Sequence, residues 1–228
     1  MGKRQSKSRA DAIYAKLEKI AALPPGHADE EVTGLDRLAN QPIQQVADTS
    51  KFPRMKKFRF QLLHRWLVET FEPCRAADIG GGKGLLSYLL IQSGWQATVI
   101  DPVSQPLPEK YKDIITGERV RIPPLTRLPA INAEFEETMA EDFDLLIGLH
   151  AHGCNVKIID AAARYGCGFI IFPCCVIAEP FYPPLGVHWL ESLAGYALRQ
   201  GHWIRPIRLN FKGQNIGLMV VGKKTKLR

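Results

Sequence analysis

Asp78-Ile79-Gly80-Gly81-Gly82-Lys83-Gly84 lies between two stretches of opposite habit. Before it, Arg75 to Ile79 reads as a short buried strand. After it, Gly84 to Ser93 is apolar and long enough for a buried helix. A strand, a glycine-rich turn and a helix bring backbone close to a ligand, because glycine accepts positive φ and the first helical turn offers unpaired N–H groups. Working outward, Gln96–Ile100 reads as a second strand, which makes the segment a β-α-β unit. Phe143–Leu149 and Gly168–Phe172 are further buried strands, with a helix over Val156–Tyr165 between them. Alternation of this kind implies parallel strands and right-handed crossovers. The final pair, Ile204–Phe211 and Ile216–Val221, flanks Lys212-Gly213-Gln214-Asn215 and reads as an antiparallel hairpin, preceded by a helix over His188–Gln200. A weaker strand signal covers Arg119–Ile122.

The N-terminal side is helical and polar by turns. Ile13, Leu17 and Ile20 give Ala10–Leu23 an amphipathic spacing that stops at Pro24-Pro25-Gly26. Residues 26–52 are turn-rich, with one weak helix over Glu30–Ala39. Phe58, Leu62, Leu63, Trp66 and Leu67 then share one helical face up to Pro73. The expected organisation is a basic tail and helical extension over 1–52, one alternating α/β domain over 53–222 and a short basic tail over 223–228.

Composition sets outer bounds. The 228 residues are 46% hydrophobic and 23% charged, values that exclude disorder and collagen. The longest apolar run, Cys167–Ala178, contains a proline and falls short of the roughly 18 residues a membrane span needs. Five cysteines without an export signal imply reduced thiols and a cytoplasmic protein. The net charge of +7 is unevenly placed. Lys3, Arg4, Lys7 and Arg9 at one end and Lys223, Lys224, Lys226 and Arg228 at the other outnumber it by one, so the body stands at −1. Lys51, Arg54, Lys56, Lys57, Arg59 and Arg65 nevertheless form an internal basic block with no acid among them. Such arms serve either as phosphate contacts or as solubilising tails.

Three nucleotide-binding readings compete for the glycine loop. A dinucleotide fingerprint needs a small residue at position 85, which is Leu85; a P-loop needs Gly at 77 and Ser or Thr at 84, which are Ala77 and Gly84. The spacing Asp78, Gly80, Gly82, Gly84 instead resembles motif I of the class I S-adenosylmethionine (SAM)-dependent methyltransferases. Asp101, ending the second strand, stands where a carboxylate accepts the hydroxyls of a ribose, although it also reads as a turn cap before Pro102. The resemblance implies an α/β fold with a Rossmann-like seven-stranded sheet, mostly parallel and closed by a C-terminal antiparallel hairpin. It also implies SAM as cofactor, held by Asp78, Gly80, Gly82, Gly84 and Asp101.

Gly148-Leu149-His150-Ala151-His152-Gly153 and Phe172-Pro173-Cys174-Cys175 are similar to the Gly-Leu-His-x-Cys-Gly and Cys-Cys signatures of one methyltransferase branch. That branch includes the tRNA 2′-O-methyltransferases of the acceptor stem. Its Pro-Lys-Lys-x-His-Glu element corresponds to Met55-Lys56-Lys57-Phe58-Arg59-Phe60, where the lysine pair matches and the His-Glu pair does not. The resemblance implies an RNA substrate, contacted by Lys56 and Lys57, and a catalytic group drawn from His150, His152, Cys174 and Cys175. A hydroxyl acceptor gains from a base, and strand alternation would point both histidines the same way. The cysteines read as small buried residues, as pocket walls, as a nucleophile or as zinc ligands. With no Cys-x-x-Cys spacing and two adjacent cysteines that rarely reach one ion together, no metal is assigned. Phe181, Tyr182 and Trp189 either stack substrate bases or pack the following helix. A small-molecule methyltransferase and a non-catalytic RNA-binding module are the alternative functions.

Overall fold

The computed structural model describes residues 2–26 and 58–228, with side chains from residue 9 onward. The expected helix over Glu30–Ala39, the boundary at residue 52 and the pair Lys56 and Lys57 lie outside the described residues.

The glycine loop joins β1 (Arg75–Ile79) to α3 (Leu85–Gln92), and β2 (Gln96–Ile100) follows. Preceding them are α1 (Gly2–Ala21) and α2 (Arg59–Thr70). Then come β3 (Lys110–Lys112), β4 (Arg119–Arg121), β5 (Ala130–Ile131), β6 (Leu145–Leu149), α4 (Asn155–Tyr165) and β7 (Gly168–Phe172). The chain ends in α5 (Trp189–Arg199), β8 (Arg205–Arg208) and β9 (Ile216–Val220). Seven strands form one sheet in the order β5-β2-β1-β6-β7-β9-β8. Its members are parallel except β9, which runs antiparallel to both β7 and β8. This is the mostly parallel sheet with a closing antiparallel hairpin that the sequence implies.

Alternation along each strand decides which layer a side chain joins. Ala77, Ile79, Leu146, Phe169 and Ile171 pack with residues of α1, α4 and α5. Ala76, Leu145, Ile147, Ile170 and Phe172 face α2 and α3, where Trp66 and Leu90 are fully buried. Strands buried on both faces account for the unbroken apolar runs at 145–149 and 168–172.

The strand read at Arg119–Ile122 is present as β4; among the described residues it pairs with β3, in an antiparallel ribbon separate from the main sheet. One edge of the seven-stranded sheet is β5, which is two residues long. A strand that short leaves no periodicity to read.

The basic ends of the chain have definite neighbours where they are described. In α1, Leu17 is fully buried, Tyr14 donates its hydroxyl to the Pro206 carbonyl, and Arg208 pairs with Asp11 at 2.6 Å. At the other end Leu227 bridges Phe71, the Arg228 N–H reaches the Thr70 carbonyl, and the Lys224 ammonium donates to the Glu141 carbonyl at 3.2 Å.

Candidate functional site

At the carboxyl ends of β1 and β2 the glycine loop turns through left-handed conformations at Gly80, Gly82 and Gly84, with φ of 63°, 55° and 71°. Side chains would also collide here. A Cβ on Gly84 would stand 2.6 Å from Leu128 Cδ1, and one on Gly80 3.0 Å from the Ala151 Cβ. Gly81 has the same constraint, since its Cβ would fall 2.7 Å from the Asp78 carboxyl carbon. The motif spacing passes over Gly81, although the unbroken run of three glycines was a visible signal.

Asp78 and Asp101 do different work. The Asp78 side chain is buried, and its Oδ2 accepts the backbone N–H and the hydroxyl of Ser87, at 3.3 and 3.0 Å. Burial pushes its carboxyl up to about 6, against the pull of the two Ser87 bonds. Asp78 therefore anchors the first turns of α3 to β1, and it shapes the loop from beneath. Asp101 is half-buried and open to solvent: Oδ2 accepts the Gly82 N–H and Oδ1 the Val103 N–H, both at 2.9 Å. Each oxygen keeps a second lone pair for a ligand hydroxyl. The ribose-acceptor and turn-cap readings of Asp101 are thus geometrically compatible.

A cleft of about 940 Å³ opens here, lined by Gly82, Gly84, Asp101, Gln105, Leu128 and Asn132 among others. Its volume suits a nucleoside-sized ligand. Asn132, just past the two-residue β5, is a polar lining residue that no sequence signal marked.

The other candidates gather across the loop, outside the lining of that cleft. His150 and His152 do not point the same way, because β6 ends at Leu149 and His150 takes φ of 62°. A non-glycine residue held there costs of order 1–3 kcal/mol. The kink sends the His150 ring toward the β8–β9 hairpin, where Nε2 lies 3.0 Å from the Gln214 carbonyl and the ring meets Phe211 edge-on. Since a carbonyl only accepts, Nε2 carries the proton and Nδ1 is left basic. Burial lowers the His150 pKa below its ordinary value, and the nearby charges of Arg59 and His152 lower it further. His152 is exposed and turns instead to Cys174 and Cys175; the ligating atoms of the three lie within 4.8 Å of one another. Burial first, then Cys175, push the Cys174 thiol up to about 11.

Glu179, which sequence reasoning missed, locks these two loops together. It is buried, and its Oε1 accepts the Asn155 N–H and side-chain amide while Oε2 accepts the Val156 N–H at 3.2 Å. A carboxylate at the start of α4 satisfies donors the helix leaves open and sits at the favourable end of its dipole. Phe181 packs against Trp189 and Tyr196 of α5, whereas Tyr182 is exposed.

Sheet order, closing hairpin, glycine loop and the acid after β2 define a Rossmann-like α/β fold with a ligand loop at the carboxyl ends of its strands, as the motif I resemblance implies. Among known proteins, the chain is 33% identical over 104 residues to sequences named "Probable tRNA (uracil-O(2)-)-methyltransferase" from Caenorhabditis briggsae and Caenorhabditis elegans. The matched segment is 46% of this chain and 18% of either relative, so the chain spans about a fifth of their length. Among solved structures, it is similar to CalO1, a methyltransferase in calicheamicin biosynthesis in its SAH-bound form. That likeness has a TM-score of 0.36 and 14% identity, covering 71% of this chain and 52% of that one. No family model matches the chain.

Proposed function

We propose that this protein is a SAM-dependent methyltransferase acting on RNA, with tRNA or rRNA as substrate. The carrying observation is the cleft itself, in which the left-handed Gly82 and Gly84 and the Asp101 carboxylate line one space of nucleoside size. The residues fit the cofactor: the glycine loop offers a backbone surface without side chains, and Asp101 retains acceptor lone pairs for two hydroxyls. Bound there, SAM supplies an electrophilic methyl group on a sulfonium. Asp78 keeps the loop in shape through Ser87. His150, neutral and fixed through Nε2 by Gln214, takes the proton of the acceptor at Nδ1. Holding acceptor and methyl at near-attack distance supplies most of the acceleration.

RNA is favoured by the β3–β4 ribbon beside the cleft. Lys110 faces Arg121 and Lys112 faces Arg119 across its two strands, all four exposed on one side, while Tyr111 packs against Tyr88 on the other. Like charges directly opposite one another destabilise a ribbon, so the arrangement favours an anionic partner. SAM carries net positive charge and does not need it; a phosphodiester chain does. Lys56 and Lys57, which the branch resemblance marks as substrate contacts, add two further positive charges to the chain for a phosphodiester partner. The relatives named as tRNA methyltransferases support the same substrate class. Among the described residues no helix is long and apolar enough to cross a membrane, and the five free cysteines support a cytoplasmic setting.

The test is to incubate the protein with methyl-tritiated SAM and total RNA, protein and small metabolites, then count each fraction. Label in RNA supports the assignment. Label confined to metabolites returns a small-molecule enzyme, and RNA binding without transfer a non-catalytic module.

A further inference from the structure

We infer that His152, Cys174 and Cys175 form a binding site for one zinc ion, with the fourth coordination position open. Among the described residues these three form a group whose ligating atoms all lie within 4.8 Å of one another. Cys174 and Cys175 are sequence neighbours, and neighbours on a strand face opposite ways. Here β7 ends at Phe172 and the buried Pro173 follows, so alternation no longer separates them. Their sulfurs stand 3.6 Å apart. Two thiolates on one tetrahedral zinc, each at about 2.3 Å, are separated by roughly 3.8 Å. The pair is already spaced as one edge of that tetrahedron.

The donor set is also right for the metal. Two sulfurs and an imidazole suit zinc, and three protein ligands with a vacant fourth position are the pattern of sites that bind a water or a substrate. Two thiolates balance the charge of a divalent ion, the two displaced thiol protons leaving to solvent. The exposed His152 and the half-buried cysteines leave a path for the ion. Surrounding residues hold the ligands in place. Glu179 ties the loop after β7 to the start of α4, beside His152. The site lies at the carboxyl ends of β6 and β7, where open α/β sheets place their ligands. Cys154 is excluded, since its thiol turns to the His152 carbonyl at 3.4 Å. The inference is independent of methyl transfer and of RNA.

The experiment measures metal on the full chain, purified under reducing conditions without chelator, by elemental analysis. The metal-free protein is then titrated with cobalt(II) as a spectroscopic stand-in. One equivalent of zinc is expected, together with thiolate-to-cobalt charge-transfer absorption and the intense visible bands of a tetrahedral site. Cys174→Ser, Cys175→Ser and His152→Ala should each lower zinc affinity at least a hundredfold. Cys154→Ser and Cys74→Ser should retain full occupancy, and circular dichroism confirms folding in each variant. Wild-type protein that neither carries zinc nor develops the cobalt bands overturns the site. So does stoichiometric binding that survives Cys174→Ser, because the ion would then be held elsewhere. SAM affinity, measured on the same samples by calorimetry, tests the cofactor reading separately.

Discussion

The Asp101 carboxylate accepts the Gly82 N–H at 2.9 Å, joining the ends of β1 and β2 into one hydrogen-bonded unit. A change at either residue therefore acts twice, on loop geometry and on the ligand groups the carboxylate can accept. Asp78, by contrast, reaches the cleft only through the backbone it supports.

Asp101→Ala removes the acceptor from both tasks. Hydrogen bonds to a charged group contribute about 1.5–3 kcal/mol each, so SAM affinity should fall at least tenfold by isothermal calorimetry. Asp101→Asn, which keeps one oxygen, should lose less. Unchanged affinity in the alanine variant removes Asp101 from the cofactor site.

Asp78 makes stability depend on pH. Its carboxyl titrates at about 6 in the fold, against about 3.9 in an unfolded chain, so the native state holds the proton more tightly. The sign follows: the contribution is complete below about pH 4 and is lost as pH rises through 6, a loss of about 3 kcal/mol. Asp78→Asn keeps an acceptor for Ser87 and carries no charge. It should therefore be more stable than the parent in urea unfolding near pH 8 and indistinguishable near pH 4. Lower stability of the variant at pH 8 would show that the fold stabilises ionised Asp78 and would overturn this reading.

His150→Gln tests the base. Methyl transfer should drop about a hundredfold while SAM affinity stays within twofold, since loss of a base acts on the chemical step. Because burial depresses the His150 pKa, wild-type activity should already be at its plateau at neutral pH and decline only under more acidic conditions. Equal activity in the variant returns His150 to a loop-fixing role through Gln214.

The ribbon is tested by salt. Lys112→Glu with Arg119→Glu should weaken RNA binding and flatten the plot of log affinity against log salt by about 0.7 per lost phosphate contact for single strands. Lys56→Glu with Lys57→Glu should weaken it further. A ribbon variant that binds RNA with unchanged affinity and slope removes β3–β4 from the interface.

Much of this molecule follows from sequence periodicity. The apolar runs at 145–149 and 168–172, the turn at 212–215 and the alternation of strand with helix were enough to indicate a parallel sheet with a closing hairpin. The glycine spacing after Asp78 was enough to indicate a ligand loop. These are local properties, set by side-chain hydrophobicity and by the φ range open to glycine. Contacts between distant segments were not legible. The left-handed turn that sends His150 to Gln214 and the buried Glu179 cap on α4 each depend on which chain ends the sheet brings together. The same is true of the meeting of His152 with Cys174 and Cys175, because strands adjacent in space end together however far apart they lie in sequence. Alternation gave the wrong direction for the histidines because it holds only while the strand continues, and β6 stops one residue too soon.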